Sequence, residues 1–130
     1  MSSAVPFDPL PSELAEDEAH PMEQLFTILS TPRRRLEIEI LDSVVGVGNT
    51  TRTPELADWL SEYEYGEHFN SKQRKRHYIS LYQTDLPRFA DAGVIEYQNR
   101  QTEFIVTEAI RPYADAMYHL RNEFGYEREL

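Results

Sequence analysis

Lys72, Arg74, Lys75 and Arg76 fall within five consecutive residues and are followed at helical spacing by His77, Ser80, Gln83, Thr84 and Arg88. Long cations of this kind neutralise phosphate, and short polar side chains beside them reach base edges, which is the division of labour in nucleic-acid recognition. Arg74, Lys75 and Arg76 near the start of the helix suit the phosphate role, Arg74 and Lys75 towards its flanks. Arg76, Ser80, Gln83, Thr84 and Arg88 suit base contact, while His77 is either a phosphate contact or an ordinary exposed histidine. Residues 69–88 carry five cations against Asp85, a net of +4 in a chain of formal charge −10, so the remainder carries −14. Positive charge concentrated on one segment of an acidic chain points to an anionic partner, double-stranded DNA first. A solvated basic face that aids solubility is the alternative.

Other chemistries find little support. The chain has no cysteine, which excludes disulfides, thiol catalysis and cysteine-ligated metal. His20, His68, His77 and His119 are scattered without metal-ligand spacing, so no metal and no cofactor is expected. Glu62 and Glu64 are paired only in sequence, and no glycine-rich phosphate loop precedes a helix, so no enzyme is expected. No run of 18 apolar residues suggests a membrane span, and the first residues lack the basic start and apolar run of a secretory signal. A cytoplasmic location is therefore the expectation.

The charge balance carries a second implication. Acidic residues number 23 against 13 basic ones, and only Lys72 and Lys75 among the latter are lysine. Such an excess weakens a fold by self-repulsion, and molar salt, with a Debye length of about 3 Å, removes that cost. The chain therefore reads as built for a salty, halophilic cytoplasm, an ordinary acidic domain being the alternative. Its thermal midpoint is expected to rise between about 0.1 M and about 2 M KCl; a fall over that range would overturn the halophile reading.

The elements that must position the basic segment are legible from caps and periodicity. Residues 1–20 hold five acids and no base and are expected to form a disordered leader. Met22, Leu25, Phe26 and Leu29 repeat at helical spacing. Thr31-Pro32 starts a second helix, strongly apolar at Leu36, Ile38, Ile40, Leu41, Val44 and Val45, which Gly46 and Gly48 end. In its first turn Arg33, Arg34 and Arg35 either offset Glu37 and Glu39 or contact flanking phosphate. Thr53-Pro54-Glu55 starts a third helix with Leu56, Ala57, Leu60 and Tyr63 on one face. The basic helix spans 72–89; at about 100° per residue Ile79, Tyr82, Leu86 and Phe89 form its inward arc. Pro87 is expected to kink or tighten its last turns, and Gly93 to cap it. Residues 94–97 and 104–106 read as strands around a turn at Asn99 and Arg100. Arg100 at the tip of this wing, residues 99–101, would reach a minor groove or a phosphate, unless it is a plain turn residue.

Residues 108–130 carry their own signal. Ile110, Tyr113, Met117, Leu120 and Phe124 are spaced 3, 4, 3, 4. That stripe would be buried against the first helix, against a second copy, or both; a homodimer with these five residues at its interface is the expectation. Trp59 and the tyrosines read as core or dimer filler rather than a ligand cage.

The pattern resembles the winged helix-turn-helix regulators of the ArsR-like superfamily. LFTILSTPRRRLEIEI, beginning at Leu25, resembles the helix that precedes the reader, and TPELADWL, beginning at Thr53, resembles the first helix of the helix-turn-helix. LPRFADAGVI, beginning at Leu86, resembles the end of the reader. More narrowly, RKR-x-Y-x-SLYQT-x-LP is similar to a haloarchaeal group of winged-helix domains of unknown function. The resemblance implies a mostly α protein with a small β-wing (α+β), residues 21–107 forming the domain and an extra C-terminal helix after it. It implies a sequence-specific transcription regulator with its reader helix in the major groove. Metal-responsive repression is not implied, because cysteine is absent and Asp85 stands where a histidine often precedes the reader's buried leucine. The long loop over residues 63–69, with Tyr63, Tyr65, His68 and Phe69, supports a second reading. In that reading the chain is a protein-interaction module whose basic helix docks an acidic partner, with these aromatics as anchors or the acidic leader as a further contact.

Overall fold

The computed structural model describes residues 21–99 and 102–125. The leader, Arg100 and Gln101 at the wing tip, and residues 126–130 lie outside the described residues, and so do the expectations placed on them.

Two short helices open the described residues. Helix α1, Pro21–Leu29, ends where Thr31 begins the next helix by accepting the Arg34 N–H on its side chain at 3.2 Å. Helix α2, Pro32–Glu39, runs on into a π-helical segment, Ile40–Val45. Gly46 closes it at φ 89°, donating its N–H to the Leu41 carbonyl five residues back, a conformation that only glycine adopts without strain. Strand β1, Thr50–Arg52, leads directly into α3, Thr53–Tyr65. Arg52 rather than Thr53 caps α3: Glu55 reaches back to accept the Arg52 N–H at 3.1 Å, and Thr53 is buried as the first helical residue.

Helix α4 comprises α-helical Ser71–Ser80, π-helical Leu81–Asp85 and α-helical Leu86–Asp91, with helical dihedrals maintained across both joints. Asn70 and Gln73 form a reciprocal capping box at its start, both bonds 2.9 Å. Val94 N–H bonds the Phe89 carbonyl and Gly93 takes φ 77°, which stops the helix where Ala92-Gly93 leads one to expect it. Strands β2, Ile95–Asn99, and β3, Glu103–Val106, form the wing hairpin, and β1 adds to its other edge. The three antiparallel strands lie in the order β1-β3-β2, with Thr51 and Tyr97 flanking Phe104. Helix α5, Ile110–Phe124, returns to pack on α1 and α2.

The architecture is mostly helical with one small antiparallel sheet, a winged-helix-like α+β arrangement. A single core draws on every helix and on the sheet: Ile28, Ile38, Leu41, Leu56, Leu60, Leu81, Phe89, Phe104 and Ile110 are all fully buried. Among the described residues no helix is long and apolar enough to cross a membrane.

Four expectations change. The inward face of α4 is not the one that a uniform helix gives: Ile79 and Tyr82 are 40% and 44% exposed, and Leu81 and Asp85 are buried in their place. The cause is the π-helical turn. The Leu86 N–H bonds the Leu81 carbonyl five residues back. That wider turn brings Leu81 and Leu86 onto one side, although a straight α-helix would set them about 140° apart. Pro87 therefore comes after a widened turn, not a tightened one; the widening sits where its ring would crowd the carbonyl of residue 83. Val44 and Tyr63, assigned to apolar faces, are also about half exposed. In α5, Ile110, Tyr113 and Met117 belong to the chain's own core. They cannot also form a dimer face, and only Leu120 and Phe124 of the expected interface remain exposed.

Candidate nucleic-acid interface

The helix-turn-helix is made by α3 and α4, which pack closely on each other. Two contacts fix their relation. The Arg74 Nε bonds the Asp58 carboxylate of α3, and His77 Nε2 shares a 2.7 Å hydrogen bond with Glu64 Oε1. Both residues, expected to meet DNA, are engaged within the fold; the Tyr65 ring stands 6.0 Å from that of His77.

The side chains facing outward along α4 are Lys72, Lys75, Arg76, Ile79, Tyr82, Gln83 and Thr84, all exposed. Arg76 and Gln83 flank Ile79, with Lys72 and Lys75 a turn nearer the helix start. This face is turned by roughly a third of a revolution from the expected one, so Ser80 drops to a half-buried position at its edge. Arg88 lies apart, towards α1, where it lines a cleft of about 270 Å³ with Glu23 and Asp91. Lys72 and Lys75 stand in the first two turns, where the helix dipole disfavours cations and an anion would restore the balance. Among the described residues no carboxylate pairs with Arg76; its Nη1 is 3.4 Å from the Tyr65 hydroxyl. Arg52, which no local pattern marks, is a further exposed cation at the start of α3, paired across the sheet with Glu103.

Beneath this face lies a buried ionic cluster that ties α4 to α2. Asp85, fully buried, accepts from Arg33 Nε at 2.8 Å and Nη2 at 3.4 Å, and lies 3.6 Å from Arg34 Nη1. Arg34 is itself buried. It donates to the Thr27 and Ile28 carbonyls and, at 2.7 Å, to the Ser30 hydroxyl, satisfying the open end of α1. Arg35 Nη1 bonds the Leu29 carbonyl at 2.8 Å. Arg34 is therefore a structural bolt, and a phosphate contact is excluded for it.

Glu37, one turn from Arg33, is also fully buried and finds no donor for either oxygen. Burial first, and then the facing Asp85, push its carboxyl well above the usual carboxylate range against the pull of Arg33 and Arg34. Two carboxylates cannot bond each other; the neutral Glu37 acid can donate to Asp85, and that is the form the site favours. A sequence separation of 52 residues hides the Arg33–Asp85 pair from any local pattern.

The span of this helix-turn-helix and its wing coincides with a known family. The family described as Domain of unknown function (DUF7344) matches residues 26–104, more than half of the chain. The chain belongs to that family. The DUF7344 match opens at Phe26 in α1 and closes at Phe104 in β3, and so spans the helix-turn-helix, the buried ionic cluster and most of the wing. Helix α5 lies outside it. Neither the curated proteins nor the solved structures include one that matches the chain.

Proposed function

We propose that this DUF7344 protein is a sequence-specific DNA-binding transcription regulator that acts as a homodimer in the cytoplasm, with α4 in the major groove. The observation that carries this reading is the exposed face of α4. Three cations without a carboxylate partner among the described residues, Lys72, Lys75 and Arg76, surround Ile79 and Gln83 on the second helix of a helix-turn-helix. Lys72 and Lys75 would take phosphates, Arg76 and Gln83 base edges, and Ile79 a thymine methyl group. Thr84 and Ser80 stand at the rim, and the wing turn, residues 99–101, would reach the neighbouring groove or backbone. Leu120 and Phe124, the exposed end of the α5 stripe, would make the contact between two copies, setting half-sites about one helical turn apart. Membership of the ArsR-like superfamily and a haloarchaeal origin belong to the same proposal, supported by the motif around SLYQT and by the acidic balance.

Fluorescence anisotropy on promoter duplexes, the chain's own promoter included, tests it across a KCl series. Replacing both Lys72 and Lys75 by Ala should weaken binding to all sequences and reduce the salt slope by about 2, since each phosphate contact contributes about 0.9. Gln83→Ala should instead relax preference at one base pair, by about 1–3 kcal/mol. A second reading has its own support: exposed Ile79, Tyr82 and Tyr63 beside the cations could anchor a protein partner. A folded protein that binds no duplex at any salt would favour that module.

A further inference from the structure

A cavity of about 730 Å³ opens between the start of α2, the end of α3 and the middle of α4. Pro32, Leu36, Leu60 and Ile79 give it apolar walls, and Tyr63 and Tyr65 add two aromatic rings. Its size falls within the range of small-molecule sites, about 300–1,000 Å³. Four chargeable residues line it: Arg33, Glu64, Arg76 and His77. Glu64 is hydrogen-bonded to His77 at 2.7 Å, and Arg33 is engaged by Asp85 at 2.8 Å. Arg76 has no carboxylate partner among the described residues of a chain that carries 23 acids. Arg76 is therefore the cation of this lining left to meet a ligand.

We infer that this cavity is a binding site for a small amphipathic organic anion, one carboxylate or sulfonate carried on a flat apolar body. Arg76 takes the anionic group, with the Tyr65 hydroxyl beside it, and the leucine, isoleucine and tyrosine walls take the body. A cation would meet Arg33 and Arg76. A polyphosphate would leave most of the apolar wall unmatched and find too few donors. The ligand engages the guanidinium that the proposed base contact uses, so occupancy would compete with DNA. Binding of the ligand does not rest on that reading and is measured without DNA.

The test is isothermal titration of the full chain with 1-naphthoate and with its neutral analogue, 1-naphthalenemethanol. Arg76→Gln removes the charge, and Ile79→Trp fills the cavity from an exposed position; circular dichroism confirms that both variants fold. Saturable binding of naphthoate at one site per chain is expected. It should weaken about tenfold or more for the alcohol, for Arg76→Gln and for Ile79→Trp, the scale of one charge-assisted hydrogen bond. Absence of saturable naphthoate binding overturns the inference. So does equal binding of acid and alcohol, or unchanged affinity in folded Arg76→Gln or Ile79→Trp. None of these outcomes touches the DNA reading, which the duplex titrations decide separately.

Discussion

Truncating Leu81 to Ala is expected to lower stability by about 2–5 kcal/mol, and truncating Ile79 by less than about 1 kcal/mol. The two residues are two positions apart on the same helix and nearly equal in size, yet a uniform helical period assigns them the opposite ranks. Leu81 is fully buried against the core that α3 and the wing complete, so its loss removes transfer energy and leaves a cavity. Ile79 is 40% exposed at the rim of the cavity beside α3, where water already reaches it. Urea unfolding of both variants measures the difference. A larger loss for Ile79→Ala would show that α4 presents its other face to the core.

The second large effect is expected at Asp85. Replacement by Ala leaves Arg33 and the buried Arg34 without their carboxylate, a change that costs about 3–5 kcal/mol when a fully buried pair is broken. Arg33 keeps more than a third of its side chain in solvent, so screening moves the expectation to about 3 kcal/mol. Asp85→Asn, which retains an acceptor oxygen, should lose less. Glu37 responds in the opposite sense. Its folded pKa is raised, so the native state keeps a proton that the unfolded chain releases near the ordinary 4.5. Stability linked to this group is intact below that pH and declines as pH rises towards the folded value. The slope is at most about 1.4 kcal/mol per pH unit for one proton. Glu37→Gln removes the titration and should gain on the wild type as pH climbs above 4.5, with Asp85, Arg33 and Arg34 unchanged around it. Parallel stability curves for the two proteins would refute the buried acid.

Much of this fold is legible in the sequence, and the failures have physical causes. Thr31-Pro32, Thr53-Pro54-Glu55 and Ala92-Gly93 mark boundaries by local chemistry, and the structure breaks its helices at or within one residue of them. The wing hairpin is local too, and a few apolar residues suffice to mark its strands. Strand β1 escapes notice because three residues, Thr-Thr-Arg, have no signal until β3 arrives some fifty residues later to pair with them. The same distance conceals the bond from Arg33 to Asp85, and so the arginine triplet looks like a surface feature. The π-helical turn defeats any reading of the α4 face for a different reason: a fixed period holds only for a helix without an inserted residue. Lys72, Lys75 and Arg76 nonetheless lie on an exposed helix as expected, since charge is a property of the residue and not of the period.

That inserted residue also sets a phase. A π turn holds one residue more than the α turn it replaces, equivalent to about 100° of rotation between the helical turns on its two sides. Upstream of it lie Lys72, Lys75, Arg76 and Ile79, which face outward, and at its end and beyond it lie Asp85, Leu86 and Phe89, clamped into the core. The two halves of α4 are thus geared through Leu81–Asp85. Relaxing this turn to regular α geometry would spin Lys72, Arg76 and Ile79 around the helix axis while every one of those residues stayed the same. The outward surface of this chain is written partly in its residue types and partly in a single surplus peptide unit, and a change to either rewrites it.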